Sequence, residues 1–345
     1  MTKNTWPCGR SEGQGLLLRP SELPTAHCPP SPRALSSQLS SKLERKMSGE
    51  ERSIPIYTVD AFTGEPFAGN PAAVCLLDSE SVLNDEERLK LGAEMNLSET
   101  SFVVPQNGGD FVNGSKFGLR WFTPTSEVDL CGHATLASAA VLFFDRGNKS
   151  ERLEFASRSG PLYVTKSGNK MSLNFPLNPP SPRDQDDIKN LLKISVGDLG
   201  LIQDVQLSNT TRKLLIRLRD DVTREALEKL EPLIGQMVPT YNTGEIKGVG
   251  ITIKGSRENG CVDRDGNVYD FVSRYFAPWL GIPEDPVTGS WHTVAGAYWA
   301  KELGKTEMYA RQCSRRGGEM WLKVDPQRVT MSGQAVINLK GTFYL

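Results

Sequence analysis

One short pattern occurs twice in this 345-residue chain, and it constrains the fold more than any other feature. Each copy has an arginine, an aromatic residue, a phenylalanine and, two positions later, a proline. A glutamate follows, and then a glycine that opens a run of small and apolar residues. The arginine, glutamate and glycine are Arg120, Glu127 and Gly132 in the first copy and Arg274, Glu284 and Gly289 in the second. The match predicts a duplicated strand–loop–helix unit, with coincidence between short patterns as the alternative.

The remaining sequence predicts an α+β chain that is rich in strands. Short apolar segments separated by glycine, proline and asparagine recur throughout, which is typical of strands joined by turns. Segment 134–144 is apolar nearly all round, so it predicts a helix that is buried on every side. Further helices are predicted at 84–96, 186–194, 221–237 and 289–303.

The overall charge gives no reason to expect nucleic acid or an anionic membrane as a partner. Charged residues make up 23% of the chain, and the formal net charge is −1. No apolar run approaches the roughly 20 residues that span a bilayer. The six cysteines are scattered without a C-x-x-C pair, which is typical of a reducing compartment. We therefore expect a cytoplasmic protein.

The chain length predicts two domains. The N-terminal segment is rich in proline, serine and basic residues and lacks apolar periodicity, so we expect a disordered extension over residues 1–53. The proline-rich segment 176–184 is the predicted linker, and it separates a first half at 54–176 from a second half at 177–334. The C-terminal strand, about 335–345, is expected to complete the first half.

Two glycines, Gly132 and Gly289, open the two predicted buried helices. A helix N-terminus has free backbone N–H groups and the positive end of the helix dipole, and glycine lets a ligand approach them closely. Two such ends facing each other would suit a small carboxylate. The alternative is that both glycines only permit tight turns.

The segment "EDPVTGSWH" adds side chains with chemistry near the second helix start. Asp285 precedes a proline, and the Ser290 hydroxyl could either cap the helix or bond a ligand. A hydrolase triad of Ser290, His292 and Asp285 is disfavoured, because residues two apart on a helix point to different sides. Glu99 begins a predicted strand, and its local sequence predicts only a solvated acid.

Cys131 and His133 surround the first glycine and raise the question of a metal or a nucleophile. A zinc site would need two further ligands, and no metal-ligand motif accompanies the pair, so we expect no metal. We expect the histidine, two positions along, not to reach the thiol easily. A thiol at a helix N-terminus nevertheless has a lowered pKa, so Cys131 is a candidate base.

Five motifs in order resemble the phenazine-biosynthesis (PhzF-like) isomerase family over about residues 54–345. They are "DAFTGEPFAGNPAAV", "NLSETSFV", "FTPTSEVDLCGHATLASAAVL", "RYFAPWLGIPEDPVTGS" and "QCSRRGGE". The resemblance implies the diaminopimelate-epimerase fold. In that fold two pseudo-symmetric halves, each a β-barrel-like sheet wrapped around a central helix, hold the site between them.

The resemblance also implies a cofactor-independent isomerase acting on a small carboxylate-bearing substrate. Carried over onto the matching motifs, it makes Glu99 the proton-transferring residue and adds His133, Asp285 and Ser290, with Gly132 and Gly289 as backbone contacts to substrate. Glu99 would need a raised pKa from burial to work near neutral pH. A racemase that uses Cys131 is the alternative, although the second helix start has no opposing thiol.

The family resemblance carries expectations about partners and about one unusual residue. It implies a homodimer and, as an alternative non-catalytic role, binding to a WD-repeat protein. Where the family usually has a small residue after the motif serine, this chain has Trp291. We expect Trp291 either to reshape the pocket or to pack in the core.

Overall fold

Strands dominate residues 52–345, the part of the chain that the computed structural model describes. They form one 17-stranded sheet. The strands are β1 (Ser53–Ala61), β2 (Asn70–Leu76), β3 (Glu99–Pro105), β4 (Lys116–Phe122), β5 (Glu127–Val128), β6 (Arg152–Ser157), β7 (Gly160–Ser167), β8 (Lys170–Pro176), β9 (Ser181–Pro182), β10 (Ile202–Ser208), β11 (Lys213–Leu218), β12 (Gly248–Lys254), β13 (Phe271–Phe276), β14 (Glu307–Gln312), β15 (Gly318–Val324), β16 (Arg328–Gly333) and β17 (Ala335–Tyr344).

Six α-helices lie within the same described residues, and the α+β class predicted from the sequence is confirmed. They are α1 (Asp85–Met95), α2 (Gly132–Ala140), α3 (Lys189–Val196), α4 (Arg224–Glu228), α5 (Ile234–Thr240) and α6 (Gly289–Leu303). The predicted 1–53 extension lies outside the described residues except at its end, where Ser53 already begins β1.

The sheet repeats one sequence of strand directions. From β1 to β8, leaving out the two-residue β5, successive pairs are antiparallel, parallel, antiparallel, parallel, antiparallel and antiparallel. From β10 to β16 the same order recurs. β17 pairs with β1 and β9 with β10, while β8 and β16 pair with each other. The molecule is therefore built from two similar halves joined through one pair of strands.

Each half wraps its strands around one apolar helix. Helix α2 packs against β1, β2, β3, β8 and β17, and α6 packs against β11, β14, β15 and β16. Every residue of α2 after Gly132 is buried, as the apolar sequence predicts. The helix then continues as a π-type turn over Val141–Asp145, in which Phe144 is exposed, contrary to the prediction of burial on every side.

Two predictions of local structure were wrong in detail. The helix predicted at 221–237 is interrupted into α4 and α5, because Pro232 lacks the N–H that a continuous helix needs. Strands β10 and β14 were not predicted at all. Their polar positions alternate with buried ones, and both strands are stabilised by pairing, β10 with β9 and β11, and β14 with β13 and β15.

The duplicated arginine and glutamate form the same contact in both halves. Arg120 donates two hydrogen bonds of 2.7 Å to the Glu127 carboxylate, and Arg274 donates bonds of 2.7 and 3.0 Å to Glu284. A planar guanidinium paired with both carboxylate oxygens fixes the loop that leads to each helix. The repeated pattern is thus a repeated structural unit.

Candidate active site

The two helix starts meet between the halves. A methyl group placed on Gly132 would lie 3.9 Å from the Cα atom of Gly289, and the reverse placement gives the same distance. The residue before each glycine, Cys131 or Thr288, is the N-cap, and neither side chain caps its helix. The first N–H groups of both helices are therefore left without a side-chain acceptor, in a place where an anion would be favoured.

The first half brings a carboxylate, an imidazole and a thiol to this point. Glu99 is the first residue of β3, and its Oε2 lies 3.2 Å from Nε2 of His133. The hydroxyl of Ser98 lies 3.2 Å from the same ring nitrogen. On the other side of the ring, Nδ1 is 3.4 Å from Sγ of Cys131. The expectation that His133 could not easily reach the thiol was wrong, because Cys131 has an extended backbone outside the helix.

The arrangement around His133 bears on the question of a metal. Donor atoms of Glu99, Cys131 and His133 lie within 4.8 Å of one another, a spacing that a metal ion could bridge. However, the thiol faces Nδ1 and the carboxylate faces Nε2. One ion binds only one ring nitrogen, so the donors surround the imidazole instead of converging on a single point. As arranged, the cluster suits proton transfer better than metal binding.

The charges of this cluster depend on one another. Burial alone would raise the pKa of Glu99, but the charge of His133 and hydrogen bonds from His133, Ser98 and Cys131 outweigh it and lower that pKa. Burial opposes protonation of His133, yet Cys131 and Glu99 together raise its pKa well above the ordinary value. The expected raised pKa of Glu99 was therefore wrong, because it counted burial without the neighbouring cation.

Burial also sets the state of the Cys131 thiol. Loss of solvent, followed by the nearby charge of Glu99, raises the pKa of Cys131. The expected lowering by the helix N-terminus is thus reversed, and Cys131 is a neutral thiol at neutral pH.

The second half contributes Asp285, which is held by neutral donors. Its Oδ1 accepts a 2.8 Å hydrogen bond from Nδ2 of Asn70, and its Oδ2 accepts a 2.6 Å bond from the hydroxyl of Thr288. The side-chain amide of Gln312 donates to the Asp285 carbonyl at 2.6 Å. Burial raises the pKa of Asp285, and the opposing effect of His133 and these hydrogen bonds is smaller.

Asn70 joins the two halves at the centre of the site. It is fully buried, and its two amide hydrogens are directed to Asp285 and to the carbonyl of Val287, at 2.8 and 2.9 Å. Its Nδ2 also approaches Nδ1 of His133 at 3.3 Å. The Asn70 side-chain oxygen has no hydrogen-bond partner within residues 52–345. A ligand donor would satisfy it.

With this geometry in hand, comparison with known proteins identifies the family. The model of the family described as "Phenazine biosynthesis-like protein" matches residues 59–341. The chain belongs to the PhzC–PhzF family. Its fold is the one seen in PhzF proteins and in predicted epimerases, so the fold predicted from the sequence is confirmed.

Similar proteins are found in animals and bacteria. The chain is 48% identical to a mouse phenazine biosynthesis-like domain-containing protein 1 over 84% of this chain and 98% of that protein. It is 39% identical to an uncharacterised isomerase of Pseudomonas aeruginosa, covering 85% and 99% of the two chains. A PhzF-family crystal structure from Enterococcus faecalis has a TM-score of 0.72 at 38% identity, over 85% of this chain and all of that one.

Ser290 is the remaining predicted site residue. In this PhzF-family chain it does not lie where the nucleophile of a hydrolase triad would lie. Its side chain is exposed in the first turn of α6. His292 is fully buried, and its Nδ1 lies 2.8 Å from the carbonyl of Thr288, so it serves neither Ser290 nor Asp285. The disfavoured triad is not assembled. Ser290 does not cap the helix either, because the cap position belongs to Thr288.

Trp291 faces the core. It is fully buried, its ring nitrogen donates to the hydroxyl of Ser273 at 2.9 Å, and its ring stacks on Tyr275 with a centroid distance of 5.6 Å. Its ring also lies directly over Gly250, where a side chain would collide with it. The tryptophan that departs from the family pattern therefore shapes the core behind the helix start.

The sequence did not single out four polar residues that complete the site, namely Asn70, Ser98, Thr288 and Gln312. All four stand in stretches that carry the family resemblance, namely "GNPAAV", "NLSET", "EDPVTGS" and "QCSRRGGE". An asparagine before a proline predicts a turn, so its buried position was not foreseen. Among the described helices of this PhzF-family chain, none is long and apolar enough to cross a membrane.

Proposed function

We propose that this protein is an isomerase that moves a proton within a small carboxylate-bearing substrate by general acid/base catalysis, without a cofactor. The observation that carries the proposal is the pairing of Glu99 with His133, at 3.2 Å, beside two uncapped helix starts. A carboxylate held beside a cation stays ionised at neutral pH, so it is ready to accept a proton.

The proposed reaction conserves atoms and charge. The Glu99 carboxylate removes a proton from a substrate carbon, and the bonding electrons delocalise into the conjugated system of the substrate. The same carboxyl group then returns the proton to another carbon on the same face. His133, protonated at neutral pH, donates toward the developing negative charge, and the helix N–H groups hold the substrate anion. Asp285 anchors the second half of the site through Asn70 and Thr288.

Racemisation with Cys131 is the second candidate, and one observation favours it. The thiol lies 3.4 Å from Nδ1 of His133, and this cation would stabilise the thiolate that a racemase needs. Inversion needs acid and base on opposite faces of a carbon, whereas Cys131 and Glu99 lie within 4.8 Å of each other in the same half. The equivalent position in the second half is Thr288, whose hydroxyl is bonded to Asp285. We therefore favour isomerisation on one face.

A screen of small carboxylic acids by thermal shift, followed by NMR of the hits in D₂O, tests the proposal. We expect deuterium incorporation at a substrate carbon with the wild-type protein and none with Glu99→Gln. Glu94→Gln, on the exposed face of α1, is the matched control and should behave as wild type. Undiminished exchange in Glu99→Gln would reject the role of Glu99.

Two further results separate the alternatives. Exchange that disappears in Cys131→Ala, together with inversion of the substrate, would favour the racemase. If no acid shifts the melting temperature, the catalytic proposal fails in favour of a binding role. The predicted WD-repeat partner, homodimer and cytoplasmic location stay predictions.

A further inference from the structure

A buried lysine lies in the second half without an ion-pair partner. Lys213 begins β11 and is 8% exposed. Within residues 52–345, no carboxylate oxygen lies within the 4 Å ion-pair distance of its ammonium group, although every other strongly buried basic residue of the structure has a carboxylate or carbonyl partner. A buried ammonium without a counter-ion is costly, so such a lysine calls for an explanation.

The side chain of Lys213 points toward the helix that opens the site. On β11, alternate residues share a face, and Arg217 on that face contacts the ring of Trp299 and the carboxylate of Glu302, both in α6. Leu215, between them, joins the core cluster that contains the buried residues of α6. Lys213 therefore lies on the α6 side of its strand.

Aromatic contacts place Lys213 beside the start of α6. Its Nζ is 5.7 Å from the ring centroid of Tyr275, which in turn stacks on Trp291, the third residue of that helix. The backbone N–H of Asp285 donates to the carbonyl of Tyr275, so this wall continues into the loop that carries Asp285. Tyr275 thus links the lysine both to the first turn of α6 and to the loop that carries Asp285.

We propose that Lys213 is the residue that binds the substrate's carboxylate, beside the first turn of α6. This inference deepens the proposed function and rests on it for the identity of the anion. The substrate carboxylate would form an ion pair with the Lys213 ammonium group on β11 and accept hydrogen bonds from the first N–H groups of α6. Glu99 and His133, in the first half, would transfer the proton. The negative charge of Asp285 would repel any anionic group of the ligand that approached it, and so favour one orientation of the ligand.

The charge state of Lys213 fits this role. Burial lowers the pKa of Lys213 to about 8, and the nearby charge of Asp285 opposes that shift. The ammonium form therefore persists at neutral pH. Lys213 also contacts Tyr275, which is neutral because burial raises its pKa. On the neighbouring strands, the residues paired with Lys213 are Gly248 and Ser208, which carry no charge.

Matched acids and amides test the inference without knowledge of the substrate. Acetate, benzoate and cinnamate are compared with their primary amides by isothermal titration against wild type, Lys213→Met and Lys213→Gln. The wild type should bind at least one acid tenfold or more tightly than its amide, and both variants should lose that preference while keeping amide affinity. Lys301→Met, exposed on α6, is the control and should bind as wild type.

The outcomes separate this inference from the proposed function. An acid preference retained by Lys213→Met or Lys213→Gln, or absent from the wild type in all three pairs, overturns the role of Lys213. Glu99→Gln should keep the acid preference, because it alters the other half. Loss of exchange in Glu99→Gln with unaltered acid binding in Lys213→Met would leave the isomerase standing and reject Lys213 alone. Circular dichroism of each variant checks that it is folded.

Discussion

The two halves of the molecule share a framework but divide the chemistry. Both use an arginine–glutamate pair, the same order of strand directions and a glycine at the start of the central helix. When the glycines are aligned, Cys131 corresponds to Thr288 and His133 to Ser290. The first half thus places a thiol and an imidazole where the second half has two hydroxyl groups. The two copies of the duplicated unit therefore share a scaffold and differ in the side chains at their helix starts.

The two site carboxylates show what this division does physically. Glu99 and Asp285 both lose solvent, which by itself raises a carboxyl pKa. Glu99 faces a cationic imidazole and ends with a lowered pKa, whereas Asp285 is held mainly by a neutral amide and hydroxyl and ends with a raised one. The partner's charge, more than the depth of burial, decides the direction in which the pKa of each carboxyl group moves.

Replacing the residue that follows each glycine, His133 or Ser290, should slow catalysis by very different factors in the two halves. We expect His133→Asn to slow deuterium exchange by about 10²–10⁴-fold, because a general acid is lost, and Ser290→Ala to slow it by less than about tenfold. In His133→Asn the burial of Glu99 is no longer offset, so the acid limb of the pH–rate profile should move to higher pH. Equal losses in the two variants would contradict the division between the halves.

Breaking the arginine–glutamate pair should destabilise the second half more than the first. Arg274 is 8% exposed and also donates to the carbonyls of Leu227, Glu228 and Leu230. Arg274→Met should therefore cost about 3–5 kcal/mol of unfolding free energy, the usual penalty for orphaning a buried charge.

The corresponding change in the first half should be milder. Glu127 keeps a 2.6 Å ion pair with Arg158 when Arg120 is replaced, so Arg120→Met should cost about 1–2 kcal/mol. Urea unfolding of both variants measures the difference. Equal midpoints would show that the two copies of the motif are equivalent in stability as well as in geometry.

The fourth residue of each central helix, Thr135 in α2 and His292 in α6, should make the stability of the two halves depend differently on pH. Thr135 and His292 both contact the carbonyl four positions earlier, but only His292 titrates. Burial lowers the pKa of His292 to about 4. As pH falls from about 6.5 to 4, the unfolded chain takes up a proton that the folded chain does not. This one group should then cost about 3 kcal/mol of stability at acid pH.

His292→Asn, which keeps a donor toward Thr288, provides the comparison. The variant should lose less stability than the wild type between pH 6.5 and 4, as measured by urea unfolding at each pH. The raised pKa of Asp285 acts in the opposite direction in both proteins, so it cancels in the difference. Identical pH dependence in the two proteins would show that His292 is not held neutral.

The two glycines should have the smallest effect on stability while still affecting binding. A methyl group at Gly132 would meet Phe175 at 3.5 Å and Gly289 at 3.9 Å, which are ordinary contacts. Gly132→Ala and Gly289→Ala should therefore change unfolding free energy by less than about 0.5 kcal/mol. Each methyl group would nevertheless occupy the space in which a ligand approaches the helix N–H groups, so acid binding should weaken in both. A large loss of stability instead would assign the glycines a structural role.

Much of the fold could be predicted from local patterns, because the decisive features are short. The largely apolar segment 134–144 and the paired glycines predict two buried helices with equivalent starts. Glu99 was predicted to be a site residue only through the family resemblance, because a single acidic residue at the start of a strand cannot be distinguished from any solvated acid. The sequence could not show that burial of Glu99 is outweighed by His133, because that balance depends on a distance.

The polar residues that hold Asp285 could not be predicted from the sequence for a different reason. Asn70 and Asp285 are 215 positions apart in the chain, and Gln312 reaches Asp285 across 27. Partners at such separations are selected by strand order and by the approach of the two halves, which no local pattern records. Lys213 shows the same limit, because "KLLIRL" predicts a strand and says nothing of which residues lack a counter-ion.

The pairing of β17 with β1 has a consequence for the order in which the chain can fold during synthesis. The strand that closes the first half leaves the ribosome after β9–β16, which lie together in the second half. A nascent chain can therefore complete its second half first, while β1 waits with an unpaired edge. The candidate site, which needs both halves, can therefore assemble fully only after β17 has been synthesised.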